Sequence, residues 1–202
     1  MKSTFLAFFF GVLATPSLAS VFKDSKHQHC IAWKAKKTMF FLNDLEPTGI
    51  NCNIKTTLVK NGETIRLNGL FPIKSFDSDD STRDEDVFSI LKGETQPTLI
   101  FKSSPLVKSL IEQVLAKISG HFVLNGELKI ARRWYPVKFN IKHQKKSDQI
   151  IVFDGVAKSK FSELGLEAPS VLAGIVADVE DDLEFHFRFR SDHIMDFALI
   201  KK

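Results

Sequence analysis

The segment "DLEFHFRFR" (182–190) alternates strictly in polarity, with Leu183, Phe185, Phe187 and Phe189 on one face and Glu184, His186, Arg188 and Arg190 on the other. An extended chain points successive side chains to opposite sides, so this pattern predicts a strand with one dry and one wet face, His186 reading as solvated. The same period sets Val137, Phe139 and Ile141 against Lys138, Asn140 and Lys142, and puts Ile65, Leu67, Phe71 and Ile73 in phase. Phe122, Leu124, Leu128 and Ile130 share a side with Gly126, which reads as a bulge or a bend inside a long strand. Turn signals ("NDLEPTG", "KNGE", "QKKSDQ", "EDD") separate these segments at short intervals. The pattern is that of an antiparallel meander, and its apolar faces require the sheet to close on itself or to be covered by another sheet. Closure also removes open edges.

Two segments break the period. Residues 81–92 open on Ser81 or Thr82, carry Asp84 and Glu85 in the first turn and place Val87, Phe88 and Leu91 at helical spacing before Gly93, which predicts a short capped helix. In "SLIEQVLAKISG" the spacing of Leu110, Ile111, Val114, Leu115 and Ile118 suits a helix, while the β-branched content suits a strand. The expected class is all-β, with one or two short helices.

The N-terminus has another purpose. Lys2, the apolar run "FLAFFFGVLA" and the small-residue ending "PSLA" have the form of a secretory signal peptide. That run is too short to span a bilayer, which takes ~20 residues, and no second long apolar run follows. The expectation is a signal peptide over 1–19, removed on export, and a single periplasmic domain over 20–202 without a transmembrane segment. A net charge of +4 comes from basic residues interleaved with acidic ones, so the continuous stripe that phosphate backbones demand is missing and nucleic acid is excluded as a partner. Cys30 and Cys52 are the only cysteines, and export permits them to pair.

Catalytic signatures are absent from the sequence: there is no G-x-S-x-G elbow, no phosphate-cradling glycine loop and no paired histidines on a helix face, so no enzyme is expected. The one local cluster with metal-ligand chemistry is His27, His29 and Cys30 in "HQHC", and a metal-dependent activity built on it is the weakest reading. The compositional outlier is phenylalanine, 19 residues against a single tyrosine. Either these rings fill a core, or they wall a cavity that avoids hydroxyls because its guest is a hydrocarbon.

The stretch "STRDEDVFSILKGETQPTLIFKSS" joins Arg83, Asp84 and Glu85 at a helix start to the Pro97–Thr98 pair and a strand carrying Phe101 and Ser103. With "LNGELKIARRWYPVKFNI" and "KFSELGLEAPSVLAG", the latter through Gly165 and Pro169, it resembles the YceI-like family of exported lipid-binding proteins from about Trp33 to Arg190. Departures are Leu164–Gly165–Leu166 where the family has Phe-Gly-Ile, a first strand without the histidine of many members, and a longer, more helix-like "PLVKSLIEQVLAK". The resemblance implies an antiparallel, lipocalin-like β-barrel whose apolar pore holds a long isoprenoid or acyl chain. The helix 82–92 would close one end. Trp33, Phe71, Phe88, Leu91, Phe101, Phe139, Ile141, Phe161, Leu166, Phe185 and Phe187 would line the pore. The implied partner is an amphiphilic lipid (a polyprenyl chain, an isoprenoid quinone or a fatty acid derivative), with no cofactor required and a homodimer left open. The competing reading is a filled barrel that serves as an interaction module of the cell envelope through its charged exterior, for example "KHQKK" at 142–146.

Overall fold

The computed structural model describes residues 21–22, 28–39, 42–171 and 177–200. The expected signal peptide and His27 lie outside these residues. In chain order the elements are β1 (Cys30–Met39), β2 (Leu42–Leu45), β3 (Thr48–Asn51), β4 (Lys55–Asn61), β5 (Thr64–Pro72), α1 (Ser81–Ile90), β6 (Thr98–Ser103), β7 (Leu106–Val107), α2 (Lys108–Ala116), β8 (Ser119–Ile130), β9 (Arg133–Lys145), β10 (Ile151–Lys160), β11 (Ser170–Val171) and β12 (Ala177–Arg190).

The alternating segments all become strands, and they join one 12-stranded antiparallel sheet ordered β2-β1-β12-β10-β9-β8-β6-β5-β4, with β3 also on β1, β11 on β12 and β7 on β5. The sheet curls because each strand must turn its apolar face inward, and its first and last long strands meet, Cys30 opposite Arg188 through Ala35 opposite Leu183. The remaining gap between β3 and β4 is closed by loops. Ile50 exchanges backbone hydrogen bonds with Asp77, and Met195 bonds the backbone of Thr56 and Leu58. A lipocalin-type barrel of curled sheet results, with one helix near each end.

The disulfide joins Cys30 to Cys52, whose Cα atoms are 4.1 Å apart. Strand register explains it: Ile31 pairs with Asn51, so the next residue outward on each strand faces the other. Cys30 is thereby removed from the "HQHC" cluster. His29 accepts a hydrogen bond from the Arg190 backbone N–H at Nδ1, and its Nε2 lies 3.0 Å from Thr56 Oγ1.

Two local expectations change, and one turn is new. Gly126 is neither bulge nor bend, because β8 and β9 stay in unbroken register from Ser119–Gln144 to Ile130–Arg133. It faces inward, and a Cβ there would lie 2.6 Å from the Phe101 ring, so the glycine makes room for an aromatic neighbour. The two-residue turn of this hairpin is Ala131–Arg132, both at positive φ (48° and 71°). That is the geometry of a tight hairpin without the Asn-Gly that normally relieves it; Gln96 braces it, accepting from the Arg132 N–H and donating to the carbonyls of Thr98 and Lys129. His186 is not solvated: it is buried on the outer face, 2.8 Å from Glu184, and is the register partner of Ala32, which packs under Phe22. Burial pushes its pKa down, with Glu184 opposing.

Candidate functional site

Helix α1 supports itself. Asp80, rather than Ser81 or Thr82, is the N-cap, its carboxylate accepting from the Arg83 N–H, while Asp84 accepts from the Ser78 N–H. At the other end Gly93 N–H bonds Phe88 O and Lys92 N–H bonds Ser89 O, with Lys92 at φ 57°, which satisfies the last carbonyls by a left-handed turn. No residue within α1 is buried. A helix whose backbone groups are met locally needs little packing to persist.

Beneath it lies a cavity of about 330 Å³. Val87, Ile90 and Leu91 form its roof; Trp33 and Ala35 of β1 and Leu183 and Phe185 of β12 form its walls, with Phe161 and Pro169 from the connection after β10. Asp80, Thr82, Arg83 and Asp86 sit at its rim. Arg83 is bound there, donating to Asp80 at 3.0 Å and to the Ser78 carbonyl at 3.2 Å. The Arg83 backbone N–H, with the guanidinium adding to it, holds the Asp80 carboxyl below the usual carboxylate range. The Trp33 indole N–H is buried with no hydrogen-bond partner among the described residues. The site is an apolar chamber with fixed charge at its mouth.

A second apolar space of about 60 Å³ lies toward α2, under Ile111 and Leu115 and against Phe122, Phe153, Phe189 and Phe197. Between the two spaces stands a column of rings: Phe101 meets Phe139 edge-on at 5.6 Å, Phe139 meets Phe187 at 5.0 Å and Phe187 stacks on Phe189 at 4.3 Å. All four are buried.

Of the residues expected to line a pore, Trp33, Leu91, Phe161 and Phe185 bound the larger space, and Ile141 and Phe187 bound the smaller one. Phe101 and Phe139 form the column between them. Phe71 and Leu166 are buried but border neither space. Phe88 packs against the core without bordering the chamber, its ring on Gly93 and under the Lys74 ammonium at 5.0 Å; Ile90 borders the chamber instead. Leu183 was missed although its phase with Phe185 announced it. Pro47 and Pro169 carried no such signal.

A family model described as the YceI-like domain matches residues 34–190. The chain belongs to this family. Solved structures similar to it include Burkholderia cenocepacia BcnA (14% identity, TM-score 0.57, covering 80% of this chain and 95% of that one). Others are a polyisoprenoid binding domain from Saccharophagus degradans (10%, 0.60, 79% and 92%) and a Campylobacter jejuni YCEI protein (14%, 0.55, 76% and 88%). At these identities the YceI-like structures share the fold. No curated protein matches the chain. Among the described residues no helix is long and apolar enough to cross a membrane, and no three His, Cys, Asp or Glu side chains are grouped to hold a metal ion.

Proposed function

We propose that this YceI-like protein binds a long-chain amphiphile in the chamber under α1, with the tail among Trp33, Leu91, Leu183 and Phe185 and the polar head at the Asp80–Arg83 rim. The observation that carries the reading is a cavity of about 330 Å³, within the size range of ligand sites, with apolar walls and charge confined to the mouth. Each CH₂ moved from water into such a space contributes about 0.8 kcal/mol, so about a dozen carbons offset the cost of association. Such a protein is a binder and not an enzyme, because the chamber's ionisable groups are at the rim and Arg83 and Asp80 are committed to each other.

Polyprenyl chains, isoprenoid quinones and fatty acid derivatives are the ligands proposed. The similar Saccharophagus degradans structure is that of a polyisoprenoid binding domain, which favours the first of these. A periplasmic carrier or sequestering protein is the role proposed, supported by the signal-like N-terminus and the disulfide. The filled interaction barrel is favoured by one observation, the ring column that occupies the middle of the interior. Organic extraction and mass spectrometry of protein purified from its own cells, beside displacement of a fluorescent prenyl probe, tests the two. A co-purifying lipid and a saturable probe signal are expected; neither lipid nor probe binding leaves the filled barrel.

A further inference from the structure

At the end opposite the chamber, α2 is apolar on two sides. Ile111 and Leu115 face inward over the smaller space. Leu110 is 56% exposed, and the residues flanking the helix, Val107 and Ile118, are 46% and 77% exposed. Three large apolar side chains on or beside this one short helix are thus left in water, the isoleucine by more than three-quarters. Exposed Trp134 differs, because the ammonium groups of Lys102 and Lys129 lie over its ring at 5.0 and 5.6 Å.

The charges around α2 select a partner. Lys117 follows the helix; Lys145, whose backbone N–H bonds the Ile118 carbonyl, donates its ammonium to the Ala116 carbonyl at 3.1 Å; Lys146 comes next in the chain. Of the acids, Glu112 is paired with Lys108 at 3.2 Å, and Asp148 stands beside Lys145 at the edge of the patch. Exposed apolar side chains with lysines gathered at the helix C-terminus fit the boundary of an anionic bilayer, where the former enter the acyl region and the latter meet the headgroups. A protein groove would call for shape and a hydrogen-bonding rim, neither of which Leu110 and Ile118 supply.

We propose that the α2 end is a membrane-docking face, with Val107, Leu110 and Ile118 inserting into an anionic lipid surface and Lys117, Lys145 and Lys146 attracting it. This goes beyond the binding reading and does not depend on what fills the chamber under α1. Docking here leaves the α1 mouth in water, and places the smaller apolar space, bordered by α2 and by Ile194, Phe197 and Ile200, toward the bilayer.

The test is cosedimentation of protein purified from its own cells with vesicles of phosphatidylcholine alone and of phosphatidylcholine mixed with phosphatidylglycerol. Binding to the anionic vesicles is expected, weakening as salt rises. Leu110→Ser combined with Ile118→Ser, both at exposed positions, should lower it roughly tenfold on vesicles of either kind. Lys117→Gln with Lys146→Gln should remove the anionic preference. Prenyl-probe binding without vesicles should be unchanged in the serine variant, which separates a failure of docking from a failure of the chamber. Absence of vesicle binding, equal binding by the serine variant, or self-association that this variant abolishes without any vesicle binding would each overturn the proposal, the last in favour of a second copy of the chain.

Discussion

The two ends of the barrel are closed by helices that solve opposite problems. At one end α1, with no buried residue within it, stands over about 330 Å³ of apolar space and keeps its charges at the rim. At the other, α2 buries Leu115 over about 60 Å³ and leaves Leu110 in water. A lid that is satisfied by its own caps can sit over an unfilled chamber; a lid without a side-chain cap must gain its stability from what it covers. The same curled sheet therefore carries a room at one end and a packed floor at the other, divided by Phe101, Phe139 and Phe187.

Removing the division is the most drastic way to break this comparison. Phe139→Ala takes a buried ring from between two others and should cost about 3–5 kcal/mol in denaturant unfolding of lipid-free protein. It should also join the two spaces, so that longer probes displace a short prenyl probe better than before. A cost under about 1 kcal/mol would mean that the column is not packed as described.

Charging the roof separates the α1 residues that border the chamber from one that packs beside it. Ile90→Asp puts a carboxylate against the chamber and should weaken probe binding at least tenfold, about 1.4 kcal/mol or more. Phe88→Asp, whose ring lies on Gly93 and under Lys74, should lower stability while changing probe binding less than threefold. Equal losses of binding in a titration of both variants would place Phe88 in the site after all.

Acid should loosen the α2 end first. His29 is held neutral, its pKa lowered to about 4 by burial and then by His193, and His143 is lowered by burial, with the Lys117 backbone opposing. Because the unfolded chain takes up these protons near pH 6.5 and the folded chain does not, stability is full above that pH and declines as pH falls toward 4. Allowing for the solvent that reaches His29, its share is about 1–2 kcal/mol. Unfolding of His29→Gln followed from pH 7 to 4 should show a shallower decline than the parent protein. An identical slope would remove His29 from the account.

The smallest effect concerns the hairpin at the chamber end. Ala131→Asn with Arg132→Gly gives the tight turn residues that tolerate positive φ and should raise stability by about 1 kcal/mol. Thermal unfolding of this variant with Gln96→Ala added measures how much of the strain the Gln96 brace had already absorbed.

Strand identity, inward phase and the existence of α1 were legible because each depends on spacing along the chain. Leu183, Phe185, Phe187 and Phe189 are buried as their alternation requires. Where the reading failed, a distant segment had intervened. His186 lies on the polar face but is buried between the strands that carry Ala32 and Val156, beside Glu184. Gly126 reads along the chain as a bulge or bend and is the space for Phe101, a residue of another strand. Phe88 and Ile90 both suit an inward-facing helix stripe, and Gly93 with Lys74 decided between them.

By itself, then, the sequence determined that this chain forms a curled antiparallel sheet with a phenylalanine-rich interior, since periods of two and the fraction of apolar positions are properties of the chain. How that interior is divided was decided only in three dimensions. Whether a ring fills a barrel or walls a chamber depends on the rings facing it from strands dozens of residues away, and on a helix at each end that must first find its own hydrogen bonds.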